Sequence, residues 1–538
     1  MKRSWITPRR MAAHLAPAAA ALLLLTGGLA ACSTVDDADP AASATQPCAG
    51  LAEVDFPEGT TVTIATAFTG TEAERFDTSL EQFEECTGID VTHTGSDDLE
   101  TLLRGHLEEP GPGAEAGADL PDLAVVPQPG LVGDLARSGR LAALPDSVGA
   151  NVELGWDRSW MEAGSVGGVL YAAPLMASVK SFVWYSPVAF TQAGYQVPTT
   201  WDELVALTRR ITADNADNAA DAGAGDPGAD EAAQRSGATP WCLGASDGDS
   251  SGWAVSDWLE ETLLATGGVG AYDAWAGHAV ALDDASAVRA LDTVGDLLLT
   301  AGHVPGGGVG ASETTLEAAG EQLLDGSCYM LHASSGYENL LPAEAQVVAA
   351  GGAAATAPGT ATGTGTAGSA APTASATEQA TASRTAATTG GVVSAFLVPG
   401  VADDDAAGQP VIVGGDFLVD LSATASQPGQ GGEDGTDPEA VKAVMTYLTS
   451  PEWAQRRVDL GGVATANRSV DASKIRSDVA RRATLLLQSR QSVIRFDASD
   501  SMPSTVGTDV LWSALNQWTR GELGSKEALA QAEAAWPK

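Results

Sequence analysis

From residue 60 onward the chain alternates between two hydrophobic periods, and this alternation restricts the fold more than any other feature. "TTVTIATAF" is β-branched with alternating apolar positions, which suits a strand. "EAERFDTSLEQFEECTG" then places Phe76, Leu80 and Phe83 at helical spacing and stops at Gly88, a residue suited to a helix C-terminus. The same pair of patterns repeats. "IDVTHT" predicts a second strand and "DDLETLLRGHLEE" a helix; "PDLAVVPQP" predicts a third strand and "GLVGDLARSGRL" another helix. Strands joined by helices through short links predict an α/β fold with a parallel sheet covered on both faces. At 538 residues the chain is long enough for two large lobes rather than one core.

The later chain keeps this mixed character. Val179 to Tyr185 predicts a strand, and residues 214–238 are Asp/Ala/Gly-rich and predict a surface loop. Thr200 sits as the cap of a helix starting at Trp201, with Glu203 three residues on, a capping-box pattern. "SDWLEETLLATGG" and "ASAVRALDTVGDLLLTAG" predict amphipathic helices, and "AAGEQLLDGSCYMLHASSG" reads as helix, turn and strand. Residues 349–391 are nearly all Ala, Gly, Thr, Ser and Pro, with Glu378 and Arg384 the charged exceptions. Such a stretch cannot bury a core and predicts a disordered insertion. Order resumes with "VVSAFLVPG" and "PVIVGGDFLVD", and the tail is helical.

The first 31 residues have a different logic. Lys2, Arg3, Arg9 and Arg10 form a basic head, Leu15 to Leu25 is apolar, and small residues precede Cys32. This is the layout of a secretory signal, too short to favour a membrane span. "STVDDADPAASATQP" after Cys32 is small, polar and acidic, a tether spanning on the order of 20 Å as a flexible coil. No later stretch reads as a transmembrane helix.

Four cysteines remain beyond Cys32: Cys48, Cys86, Cys242 and Cys328. Four allow three pairings, and sequence neighbourhood favours Cys48–Cys86 and Cys242–Cys328. On the loop-entropy model these bridges would contribute about 4 and about 4.5 kcal/mol. The absence of CxxC and HxxxH spacings argues against a metal. The formal charge of −42 repels nucleic acid and anionic headgroups, so no nucleic-acid partner is expected.

Three motifs suggest other chemistry. "GASDG" fits a nucleophile elbow around Ser246, but its triad would have to draw on His278, His303 or His332, none at the expected end of the chain. "DGDSSG" begins like a calcium loop, yet its twelfth position is Trp258 where a bidentate Glu is needed. "GHVPGGGVG" lacks the Lys-Ser/Thr of a phosphate cradle.

Several blocks in order resemble the extracellular solute-binding proteins of ABC sugar importers, nearest the alpha-glucoside branch. They are "FEECTGIDV", "PDLAVVPQPGLVGDLARSGRL", "YAAPLMASVKSFVWYSP", "PTTWDEL", "PWCLG", "SGWAVSDWLEETLL", "YLTSPEWAQRRVDLGG" and "FDASDSMPSTVG". "LAAC" also resembles a bacterial lipobox, which implies that Cys32 carries a diacylglycerol and becomes the mature N-terminus. The resemblance implies a two-lobed periplasmic-binding-protein-like fold with hinge strands between the lobes. One crossing is expected near Pro174 and another near Gly414 and Gly415, where glycine tolerates unusual dihedrals; a third is expected after the helix of "YLTSPEW". Lobe 1 would take residues 48–174 plus about 418–455. Lobe 2 would take 175–417 plus about 456–538, with the 349–391 insertion inside it. Residues 1–31 would be the signal and 32–47 the tether.

The implied function is capture of a carbohydrate, such as an alpha-glucoside or similar oligosaccharide, and its delivery to permease subunits by hinge closure. The protein would be a monomer, lipid-anchored on the extracellular face of the cell membrane, with no enzymatic activity and no cofactor. The alternatives are a secreted serine hydrolase using "GASDG" and a lipid-anchored interaction protein.

A pyranose offers a flat apolar face for an aromatic ring and a rim of hydroxyls for planar polar groups. Candidates for these contacts are Thr69 and Glu72 at the first strand–helix junction and Gln128 in "PQPG". Trp253 and Asp257 come from "SSGWAVSDWLEE", Asp416 and Phe417 from "GGDFL", and Asp497 and Asp500 from "FDASDSMP". The resemblance adds Tyr337 after "HASSG" as an aromatic platform. It also adds Ser178, which stands where family members often carry Asn.

Overall fold

The computed structural model describes residues 56–105, 120–222, 237–342, 345–349, 390–400, 410–421 and 436–538. The signal, Cys32, the tether, Cys48 and most of the 349–391 insertion lie outside the described residues. In chain order the strands are β1 (Thr61–Thr66), β2 (Asp90–Gly95), β3 (Leu123–Val126), β4 (Ser165–Val166), β5 (Val169–Leu170), β6 (Ala172–Val179), β7 (Phe182–Tyr185), β8 (Thr239–Cys242), β9 (Cys328–His332), β10 (Gln346–Val347), β11 (Val392–Leu397), β12 (Val411–Asp420) and β13 (Ile494–Phe496).

The first sheet starts as expected. β1 pairs in parallel with β2 and β3, linked by helices α1 (Gly70–Thr87) and α2 (Leu99–Gly105), and α3 (Pro129–Arg137) follows β3. Phe76, Leu80 and Phe83 line the buried face of α1, and Gly88 ends it at φ 74°, a left-handed value that glycine adopts without strain.

The second sheet has the order β10-β11-β7-β9-β8. The strand read over Val179–Tyr185 proves to be two. β6 ends at Val179 in the first sheet, and β7 starts at Phe182 in the second. A run interrupted only by Lys180 and Ser181 hides such a break, because periodicity reports burial and not which sheet does the burying. β12 accompanies β6 as an antiparallel ribbon, from Val413 opposite Val179 to Val419 opposite Ala172, with a bulge between Asp416 and Phe417. Pro174 sits within this ribbon opposite Phe417. Along its other edge β12 pairs first with β13 and then with β3.

Helix α4 (Trp201–Ala222) opens with Thr200 Oγ1 accepting from the Glu203 amide at 3.2 Å, while the Glu203 carboxylate accepts from Thr199 N at 2.7 Å. The capping box is real, with its return leg one residue earlier than read. The helix continues through residues expected to be loop as far as Ala222, since an Ala/Asp/Asn run carries no breaker. Helix α5 (Trp253–Ala276) packs behind the second sheet, burying Trp258 against Trp241 with ring centroids 4.9 Å apart. Cys242 and Cys328 join β8 to β9 as a disulfide, one of the two favoured pairings. Cys86 is also disulfide-bonded.

The C-terminal helices divide between the two cores. α6 (Pro438–Leu448), α7 (Pro451–Asp459) and α8 (Asp478–Gln488) bury Val444, Trp453 and Ala483 with the first sheet's residues. α9 (Ala498–Ser501), α10 (Trp512–Thr519) and α11 (Ser525–Ala535) bury Ala498, Leu515 and Leu529 with Trp241 and Trp258.

Gly414 and Gly415 do not adopt positive φ, so dihedral freedom is not what they provide. They provide room. A Cβ on Gly415 would stand 2.4 Å from Trp160 Cζ3 and 3.0 Å from the Met176 carbonyl oxygen. Gly415→Ala is therefore expected to cost about 1–3 kcal/mol of stability by overpacking. A denaturant midpoint equal to that of the unaltered protein would show that Trp160 yields freely.

Candidate functional site

A cavity of about 280 Å³ lies where elements of the two sheets face each other across the β6–β12 ribbon. The first-sheet side supplies Ala67 after β1, the first turn of α2, and Gln128 between β3 and α3. The second supplies Asp247, Ser250 and Trp253 at the start of α5, with Trp512 beside them. Ser178, Lys180 and Asp416 come from the ribbon and the link after it. Loops after the carboxyl ends of parallel strands commonly form such sites, which is why Gln128 and Ala67 arrive there.

Lys180 occupies the link between β6 and β7. Its ammonium lies 3.1 Å from Asp257 Oδ1, 2.5 Å from Asp497 Oδ2 and 3.0 Å from Asp500 Oδ2. Burial works against the charge on Lys180, but these three carboxylates outweigh it and hold its pKa well above the ordinary lysine range. Asp497 also caps α9, accepting from Asp500 N at 2.8 Å. Behind this layer Glu260 accepts from Ala498 N, Ser499 N and Tyr272 Oη at 2.7, 2.9 and 2.5 Å. Glu261 accepts from Ser181 Oγ at 2.5 Å, and burial pushes its carboxyl up to about 8. The segment that changes sheets is thus fixed to α5 and α9 by a buried polar network.

The carboxylate of Asp416, on the bulge of β12, accepts no hydrogen bond among the described residues. Burial first, then the nearby Glu72, pushes its pKa up to about 7. Arg457 on α7 is fully buried close by. It donates from Nη1 to Gly461 O at 2.9 Å, and its Nη2 stands 3.9 Å from Glu72 Oε1. A carboxyl whose folded pKa exceeds its unfolded value of about 4 binds its proton more tightly when folded, so its contribution to stability falls as pH rises through that window. Asp416→Asn abolishes the titration. The variant should gain roughly 1–2 kcal/mol relative to the unaltered protein between pH 4 and pH 7.5, after discounting for water in the cavity. Parallel stability curves across that range would reject this assignment.

A hydrogen-bonded relay supports the Ala67 wall. Asp77 Oδ1 lies 2.6 Å from His93 Nδ1, and His93 Nε2 lies 2.7 Å from Thr66 Oγ1, which accepts from Phe68 N at 3.0 Å. Thr66 is fully buried, so the relay shapes the loop and presents no nucleophile. Polar contacts also join the two sides beyond the cavity. Arg104 Nη2 meets Asp509 at 2.6 Å, Thr101 Oγ1 donates to Asp249 at 3.3 Å, and Asp134 accepts from Ser504 N at 2.9 Å.

Of the residues singled out in the sequence, Gln128, Ser178, Trp253, Asp416 and Asp500 line the cavity. Asp257 and Asp497 stand one layer behind it, on Lys180. Glu72 faces Arg457, and Thr69 is exposed at the start of α1. Phe417 is core, stacked on Trp160. Tyr337 is core as well: its ring packs edge-on against Trp184 and its hydroxyl donates to Leu316 O at 2.9 Å. Lining residues missed in the sequence are Asp97, Glu100, Lys180, Asp247 and Trp512. Lys180 was detectable in principle, as a lone charge inside the apolar run "PLMASVKSFVWY". Around Ser246, the three later histidines are engaged elsewhere: His278 with Glu533, His303 with Leu297 O, and His332 against Trp258.

Known proteins resemble this chain in sequence and in fold. The family model described as bacterial extracellular solute-binding protein matches residues 69–455. The osmoprotective compounds-binding protein GgtB of Synechocystis sp. is 28% identical over 483 residues, covering 89% of this chain and 92% of that protein. The alpha-glucosides-binding periplasmic protein AglE of Rhizobium meliloti is 26% identical over 491 residues, covering 89% and 87%. Among solved structures, the bacterial solute receptor AcbH, described as having an exclusive preference for b-D-galactopyranose, shares the fold. Its TM-score is 0.61 at 14% identity, covering 88% of this chain and 97% of that one.

Proposed function

We propose that this chain, which belongs to the bacterial extracellular solute-binding protein family, captures a small carbohydrate outside the cytoplasm and delivers it to the permease of an ABC importer. The observation that carries the reading is the cavity across the β6–β12 ribbon, where polar Gln128 and Asp416 face the same space as Trp253 and Trp512. Planar polar groups suit a hydroxyl rim and indoles suit a pyranose face. An alpha-glucoside or related oligosaccharide is the class favoured, in keeping with the relative from Rhizobium meliloti.

Delivery would follow from closure about the ribbon. A guest touching both sides favours the closed arrangement by its differential affinity for it, and the permease reads that state. Cys32 would carry the lipid that keeps a monomeric protein at the extracellular face of the membrane. Among the described residues no helix is long and apolar enough to cross a bilayer. A thermal-shift screen of mono-, di- and oligosaccharides tests the reading. A binder present at 100 times its Kd should add about 2.7 kcal/mol of stability. If no saccharide raises Tm, the carbohydrate assignment fails.

A further inference from the structure

We propose, resting on the carbohydrate reading above, that the cavity prefers a saccharide unit bearing a protonated nitrogen, an amino or imino sugar, over its neutral hydroxyl counterpart. The walls carry five carboxylates from four places: Asp97 and Glu100 at α2, Asp247 before α5, Asp416 on β12 and Asp500 on α9. The one cation among the lining residues is Lys180, and an ammonium has three donors. All three are taken, by Asp257, Asp497 and Asp500. Lys180 therefore has no donor left for a guest.

The other carboxylates differ in what they still need. Glu100 accepts from Arg104 and Thr508, and Asp247 accepts from Trp253 Nε1 at 2.7 Å. Asp97 and Asp416 accept no hydrogen bond at their carboxylates among the described residues. A second observation points to a guest. Gln128 is 9% exposed and lines the cavity, yet its amide has no hydrogen-bond partner among the described residues. That amide faces the cavity with both its donors and its acceptor free to pair with a guest. Trp253, held by its bond to Asp247, supplies an aromatic wall that can receive a sugar face or a cation.

A neutral hydroxyl can donate to these acceptors but brings no positive charge beside them. A protonated amine does both, and the gain is larger in an enclosed cavity than in water. The formal charge of −42 also enriches cations near the surface.

Isothermal titration of the full chain with matched pairs tests the preference. One pair is cellobiose and its 2,2′-diamino counterpart, deacetylated chitobiose. The other is glucose and 1-deoxynojirimycin. N,N′-diacetylchitobiose, bulky but neutral, separates size from charge. In 20 mM salt the amine member should bind about tenfold tighter or better, the advantage should shrink in 300 mM salt, and Asp416→Asn should bring the ratio toward one. Neutral members that bind as well as the amines, or a ratio insensitive to both salt and Asp416→Asn, would overturn the preference and leave the carbohydrate reading standing. Failure of these compounds and of every saccharide in the thermal-shift screen to bind would remove both.

Discussion

Replacing Lys180 by methionine is expected to destabilise the fold by about 3–5 kcal/mol, enough to threaten folding of a marginally stable domain. The methionine keeps most of the aliphatic stem, so packing changes little. What changes is the environment of Asp257, Asp497 and Asp500, which lose the ammonium they share. Asp257 and Asp497 are buried almost completely, and water cannot replace the lost partner without opening the link between β6 and β7. Arginine should not restore the loss, because a planar fork cannot meet three converging carboxylates as an ammonium does. The measurement is a denaturant series at pH 7 on Lys180→Met alone and combined with Asp257→Asn. If the network carries the effect, the second substitution makes the first less costly, and the cycle shows a coupling above about 1 kcal/mol. A loss below about 1 kcal/mol for Lys180→Met alone would mean that the carboxylates satisfy one another by holding protons.

The same residue shows what the sequence conveys and what it does not. The α/β alternation through "GLVGDLARSGRL" is legible because each strand and helix fills its own window with one period, and the structure follows it element by element from β1 to α3. The change of sheet at Lys180 and Ser181 is not legible, since both flanking strands are buried almost throughout and read as one run. The candidate site is half legible for a similar reason. Gln128 was placed by a local rule, the loop after a parallel strand, and that rule does not depend on distant contacts. The family resemblance offers Tyr337 as a platform at a strand end, and Phe417 stands beside the expected hinge in "GGDFL". Whether such a ring faces a cavity or a core depends on what arrives from elsewhere: here Trp184 for Tyr337 and Trp160 for Phe417. Abundance of tryptophan misleads in the same way. Trp160, Trp184, Trp241, Trp258, Trp275 and Trp453 are among the largest fully buried side chains, and the rings lining the cavity are Trp253 and Trp512. Asp497 and Asp500 stand three residues apart with opposite duties. One caps α9 beneath Lys180, and the other reaches the cavity wall.

Trp253→Ala is expected to weaken saccharide binding by about 2–4 kcal/mol, a 30- to 1,000-fold loss, while costing the fold far less than truncation of its buried neighbour Trp258. The indole is partly exposed at the mouth of α5, where its ring borders the cavity and its Nε1 donates to Asp247 at 2.7 Å. Two effects are therefore lost together: the flat apolar face against which a sugar ring packs, and the donor that fixes the Asp247 carboxylate. Trp253→Phe separates them, because phenylalanine retains a face and has no donor. If the face dominates, the phenylalanine variant should recover most of the affinity. If the orientation of Asp247 dominates, it should resemble the alanine variant. Titration calorimetry with the tightest saccharide from the thermal-shift screen provides the numbers, and a denaturation curve for each variant confirms that the fold persists. Affinity within about threefold of the unaltered protein for Trp253→Ala would place the sugar off this wall, because a desolvated aromatic anchor at the centre of a site does not leave binding energy intact when it is removed.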